Sequence, residues 1–70
     1  MIEFKIEGDY IELISLLKAV GIAQTGGHTK HIVEEEQVLR NGQIETRKRA
    51  KILRNESIEI PSLKKIIKTL

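Results

Sequence analysis

Apolar positions along the chain repeat with two different periods, and each period predicts its own element. Ile2, Phe4 and Ile6 alternate with Glu3, Lys5 and Glu7, the period-two signature of a short strand with one buried side. Gly8 ends it. Tyr10, Leu13, Ile14, Leu17 and Val20 then recur at the spacing of one helical face, so this stretch is expected to be an amphipathic helix. Asp9 followed by Glu12 has the spacing of a capping box, and Gly21 stands where a left-handed C-terminal cap belongs. Thr25 can cap a second helix that ends near Glu36, with Ile32 and Val33 inward and Lys30–Glu34 as an exposed i, i+4 pair. The two helices form an αα-hairpin. Gly26 and Gly27 in the first turn of the second helix each weaken it by ~1 kcal/mol relative to alanine, so a demand other than helix stability is expected to place them there.

Beyond the helices the period shortens. Val38 to Glu45 sets Asn41-Gly42 between two short extended runs, the pattern of a two-residue type I′ hairpin in which Leu39 faces Ile44. Lys51–Arg54 and Ser57–Ile60 read as further short strands around Asn55-Glu56, where asparagine tolerates a left-handed backbone. Pro61 stops the last of these, and Ser62 can cap a short basic helix over Leu63–Lys68. The order is an N-terminal strand, an αα-hairpin packed on a small antiparallel sheet, and a short C-terminal helix: an α+β fold in a single domain over residues 1–70.

Composition narrows the chemistry. The apolar residues are mostly aliphatic, with twelve Ile, seven Leu and three Val against one Phe, one Tyr and no Trp. With no cysteine, disulfides, thiol catalysis and cysteine-ligated metal centres are excluded. The start has neither the basic nor the apolar region of a signal peptide, and no apolar run approaches the roughly 18 residues of a membrane span; the expectation is a soluble, cytoplasmic protein with no membrane partner. The net charge of +2 conceals a division: residues 1–36 carry seven acids and three bases, whereas residues 37–70 carry nine bases and three acids. A segregated basic surface suits a polyanion, most often nucleic acid; the competing reading is a solvated Lys/Arg face.

If residues 47–51 are extended, Arg47, Arg49 and Lys51 alternate onto one face and Lys48 onto the other. Arg40 on the hairpin and Lys30 near the start of the second helix can join that face, and such an array tracks phosphates, arginine forks gripping them bidentately. The alternative is an edge strand kept soluble by its charges. Gly26 and Gly27 can let a phosphate approach bare N–H groups, or can simply supply a tight turn. The run Gly21 to Thr29 resembles a phosphate-binding loop but lacks its lysine and follows a helix rather than a strand, so it is rejected. His28, His31 and Glu35 lie on adjacent turns, yet zinc sites need a defined ligand geometry with ordered supporting partners; they read as surface side chains. Glu34-Glu35-Glu36 reads as a solvated helix end, and no nucleophile is paired with a base. No catalytic residue, metal or cofactor is expected.

One family matches this order of elements. Gly26-Gly27-His28-Thr29-Lys30 and the stretch Asn41-Gly42-Gln43-Ile44-Glu45-Thr46-Arg47-Lys48-Arg49-Ala50-Lys51, at these distances, resemble the ribosomal-protein-S-four-type RNA-binding domain (the alpha-L RNA-binding fold) over about residues 10–60. The likeness is greatest to its short bacterial stand-alone members, which lack a catalytic domain. Many members of the broader family carry Ser-Arg at Gly26-Gly27 and Gly-Asp at Asn55-Glu56. The resemblance implies a non-enzymatic module of translation that binds structured RNA, ribosomal or transfer RNA, with Gly26, Gly27, Lys30, Arg40, Arg47, Lys48, Arg49 and Lys51 as contacts. Scarce rings point the same way, since single-strand binders stack bases on several exposed aromatics. The alternative function is a small protein-interaction adaptor that docks a protein partner through its charge-segregated surfaces, the basic C-terminal segment (Lys64, Lys65, Lys68) among them.

Overall fold

A computed structural model describes residues 1–70, the surroundings of Gly26 excepted. In chain order the elements are β1 (Ile2–Phe4), β2 (Ile11–Glu12), α1 (Leu13–Ala19), α2 (Gly26–Glu34), β3 (Leu39–Arg40), β4 (Gln43–Ile44), β5 (Lys51–Ile52), β6 (Ser57–Ile60), a 3₁₀ turn (Pro61–Leu63) and β7 (Lys65–Thr69). Five strands form a sheet in the order β1-β7-β6-β3-β4, and β2 pairs with β5 in a separate antiparallel ribbon. The larger sheet is mixed rather than purely antiparallel, because β1 runs parallel to β7.

Of the expected stripe Leu13 and Leu17 are buried, Ile14 and Val20 are half-buried and Tyr10 is exposed. Leu16, outside that stripe, completes the buried face, and Leu13, Leu16 and Leu17 of α1 join Ile32 and Val33 of α2 in one core with Ile52, Ile58, Ile60 and Ile67 from the strands. Ile58 and Ile67 are register partners, as are Ile2 and Ile67, so the inner face of the sheet is a row of isoleucines closed over by the αα-hairpin. Gly21 has φ +78° just past α1, the left-handed position that glycine occupies without a Cβ clash. Thr25 caps α2, its Oγ1 accepting the His28 N–H at 3.1 Å. Asn41 (φ 51°) and Gly42 (φ 87°) are both left-handed, as a type I′ turn demands, and Leu39 is paired with Ile44.

Four local expectations are corrected. α1 begins at Leu13, not after Asp9, and its cap position, Glu12, makes no side-chain capping bond. Its first N–H groups go elsewhere: Leu13 donates to the Ala50 carbonyl (2.9 Å) and Ile14 to that of Lys48 (3.1 Å). Tyr10 and Ile11 therefore leave the helix, and Ile11–Glu12 become a strand paired with Ile52 and Lys51. The two strands around Asn55 separate, β5 to β2 and β6 to a place between β3 and β7. The expected C-terminal helix is instead a 3₁₀ turn followed by strand β7. Lys64, left-handed at φ 54°, reverses the chain, and β-branched Ile66, Ile67 and Thr69 favour a pleated surface between β1 and β6. Finally, α2 ends at Glu34, and among the described residues the side-chain contact at its end sets His31 Nε2 3.8 Å from a Glu35 carboxylate oxygen, with no Lys30–Glu34 pair.

Candidate nucleic-acid interface

Strand alternation decides where Arg40 goes. It is the register partner of buried Ile58, so its side chain leaves the sheet on the inner face, at the open end of the core. There it meets Glu56, which comes from the turn ahead of β6. Arg40 Nε and Nη2 donate to the two Glu56 carboxylate oxygens at 2.7 and 2.8 Å, a fork-on-fork pair. Nη2 also donates to the Lys51 carbonyl (2.7 Å), and Nη1 to Glu45 Oε1 (3.3 Å). Glu56 accepts further from Asn41 Nδ2 (2.9 Å) and the Leu53 N–H. Its own N–H is held by Thr69 Oγ1 (2.9 Å), which ties the turn to β7.

Glu45 performs the same service for Arg47. It accepts the Arg47 N–H, Nε and Nη2, each at 3.1 Å. The Glu45 side chain is 9% exposed, against 74% for Arg47. The arginine hydrogen bonds hold the Glu45 carboxyl down to about 2; burial opposes the shift, and Arg40 adds to it. Glu56 lies below the ordinary carboxylate range, chiefly through Arg40, and Arg40 is raised in turn, chiefly through Glu56. Both carboxylates and both guanidiniums are therefore charged at neutral pH.

Residues 47–51 are not an extended strand. Ala50 donates to the Arg47 carbonyl at 3.1 Å, closing a turn with Lys48 and Arg49 at its corners, and α1 fixes this turn by taking the Lys48 and Ala50 carbonyls as its cap. The alternation expected for Arg47, Arg49 and Lys51 is thus corrected, yet the turn brings them together by another route. Arg40, Arg47, Arg49, Ala50 and Lys51 line one hollow of about 410 Å³. A neighbouring hollow of about 580 Å³ is walled by Arg40, Asn41, Gln43, Ile44, Glu45 and Arg47. Among the described residues, Arg49 and Lys51 pair with no carboxylate, and the Lys51 ammonium sits 5.1 Å from the centroid of the Tyr10 ring.

The other expected contacts are not part of this cluster. Lys30 is exposed on α2 and Lys48 is half-buried; neither lines the hollows. Gly27 is exposed, its backbone is not left-handed, and a Cβ there would meet nothing within 4 Å, so no tight turn explains it. The expected role of Gly26 lies outside the described residues. Among the described residues no group of three or more His, Asp or Glu is arranged to hold a metal ion, and no helix is long and apolar enough to cross a membrane. Sequence reasoning missed Glu45 and Glu56 as organisers. The signal for Glu45 was present in an acid two residues before Arg47; Arg40 and Glu56 are sixteen residues apart, and no local spacing betrays them.

Comparison with known proteins bears on this geometry. The family model described as S4 domain matches residues 4–68. The Escherichia coli (strain K12) protein named "Putative RNA-binding protein YbcJ" is 39% identical over 49 residues, covering 70% of each chain. The Shigella flexneri protein named "Uncharacterized protein YbcJ" matches to the same extent. The solution structure of YbcJ from E. coli, described as revealing an alfaL motif involved in RNA-binding, superposes with a TM-score of 0.75 at 30% identity, covering 100% of this chain and 87% of that one. The alpha-L arrangement of helices and sheet is shared.

Proposed function

The chain belongs to the S4 domain family, and from that premise we propose that it is a non-catalytic module binding structured RNA, ribosomal or transfer RNA, through phosphate and shape contacts. One observation carries the reading: β3, the 47–50 turn and β5 deliver Arg40, Arg47, Arg49 and Lys51 to a single hollow. Two carboxylates offset part of that charge and at the same time hold two guanidiniums in fixed orientation, so the phosphate-facing cations are Arg49, Lys51 and the outer edge of Arg47. The name of the Escherichia coli protein and the description of its solution structure support the same ligand class.

The test is filter binding of a structured RNA across a salt series. With two to three phosphates engaged, log affinity should fall against log salt with a slope of roughly −2 to −3. A slope near zero, or an Arg49→Ala/Lys51→Ala variant that binds as well as the parent, refutes the reading. A pulldown with nuclease treatment separates it from the adaptor alternative: partners lost on nuclease favour RNA, and partners retained favour protein.

A further inference from the structure

We infer that Tyr10 is a stacking platform for an unpaired nucleobase, set at the rim of the cationic hollow so that a nucleotide with its phosphate on Arg49 and Lys51 lays its base against the tyrosine ring. The inference deepens the RNA-binding reading and rests on it.

Three observations converge. Of the two six-membered aromatic rings in the chain, Phe4 packs against the core, while Tyr10 is 42% exposed. Second, the ribbon register pairs Ile11 with Ile52 and Glu12 with Lys51. Ile52 is buried, so strand alternation turns Glu12, Lys51, Tyr10 and Leu53 to the other, outward face. Leu53 is itself 50% exposed, and the same register continued by one step brings it opposite Tyr10. The outer face of the ribbon therefore sets Tyr10 and Leu53 beside the charged pair Glu12 and Lys51. Third, Lys51 joins this face to the hollow: its ammonium lies over the Tyr10 ring at 5.1 Å, and the residue lines the cavity with Arg40, Arg47 and Arg49.

The chemistry follows from that adjacency. A phosphate drawn to Arg49 and Lys51 carries its own base with it, and a flat, solvent-facing phenol is the one aromatic surface within reach. Stacking on a side chain needs an unpaired base that can be splayed out, which a blunt duplex does not offer; single-stranded loops, bulges and overhangs do. The expected ligand is thus a structured RNA with an unpaired nucleotide, the helix meeting the cations and the unpaired base meeting Tyr10.

Tyr10 is the single tyrosine and the chain has no tryptophan, so intrinsic emission reports on this ring alone. The wild-type protein is titrated with a hairpin RNA bearing an unpaired loop and with a blunt duplex of the same stem, using N-acetyltyrosinamide to correct for RNA absorbance. Quenching by the hairpin and not by the duplex is expected. Tyr10→Leu should weaken hairpin binding roughly 5- to 100-fold, leave duplex affinity and thermal melting unchanged, and be rescued by Tyr10→Phe. Salt-dependent hairpin binding with unchanged emission and full affinity in Tyr10→Leu overturns the stacking role while leaving RNA binding standing. Equal losses for hairpin and duplex also overturn it, because Tyr10 would then only position Lys51. No association with either RNA overturns the RNA-binding reading and this inference together.

Discussion

Removing the Glu56 carboxylate should damage the fold more than its position in a polar turn suggests. In Glu56→Ala, Arg40 Nε and Nη2 lose their fork partner, and Asn41 Nδ2 and the Leu53 N–H lose their acceptor. The Glu56 side chain is 12% exposed and that of Arg40 20%, so water reaches the stranded guanidinium poorly, whereas Asn41 and Leu53 are exposed and can turn to solvent. Breaking a fully buried pair on one side costs about 3–5 kcal/mol. Arg40 keeps Glu45 and the Lys51 carbonyl and remains partly wetted, which places the expected cost at the lower edge, about 2–3 kcal/mol. Seventy residues have a total stability of roughly 4–10 kcal/mol, so the loss is a large fraction of the whole. Urea unfolding followed by far-ultraviolet circular dichroism should show the midpoint falling by about 2–3 M at a slope near 1 kcal/mol per molar. The same substitution in an Arg40→Ala background should cost much less, since the charge it strands is already gone. A midpoint shift of less than about 0.5 M, the size of an ordinary surface change, or full additivity of the two substitutions, would show that the pair does not hold the turn in place.

Other outcomes follow from the same contacts. Because Glu45 is held at about 2 against an ordinary 4.5 and Glu56 is lowered too, their stabilisation is complete above about pH 5 and lost as pH falls toward 2. The Glu45 share is on the order of 1–3 kcal/mol after allowing for its exposed Arg47 partner; melting temperatures from pH 7 to 2 should fall along that limb, and less steeply in Glu45→Gln. Leu17→Ala, at a fully buried position of the shared core, should cost about 2–5 kcal/mol, read by urea unfolding. Arg49→Ala should lower RNA affinity with no change in melting temperature, whereas Arg40→Ala should lower the melting temperature first; the reverse order would mean that the structural and phosphate-facing roles are exchanged.

What the sequence makes readable is what depends on neighbours within one turn. The α1 stripe from Leu13 onward, the Thr25 cap, the left-handed Gly21 and the Asn41-Gly42 turn all rest on contacts between residues at most four apart, and these are present. The failures share a different cause. Tyr10 fits the helical period and Asp9 with Glu12 the capping spacing, but pairing of Ile11–Glu12 with Lys51–Ile52 extends the backbone before the helix begins. Leu63–Lys68 fit a basic amphipathic helix, but a slot between β1 and β6 draws Ile67 into the core as a strand. In both cases a distant partner overrides a weak local preference. The interface divides in the same way: the basic run at 47–51 announces a polyanion-binding stretch, while the identity of its inner, carboxylate-bound members is set by Glu56, sixteen residues from Arg40.

Hydrogen-bond arithmetic then ranks the four cations of the hollow. A guanidinium has five N–H donors. Arg40 commits four, two from Nη2 and one each from Nε and Nη1, so it can lend field but hardly a fork. Arg47 commits two to Glu45 and keeps three, already aimed, because its Nε edge is pinned. Free arginines lose about 2 kcal/mol of rotamer entropy when they are fixed, and an arginine clamped on one edge by a carboxylate has lost much of it before the ligand arrives. The two glutamates thus lower the gross attraction of the surface, while Glu45 reduces the ordering cost of the proposed Arg47 contact. If the proposed phosphate contacts form, the exchange favours discrimination at Arg47, where a misplaced phosphate meets a guanidinium held on one edge by Glu45.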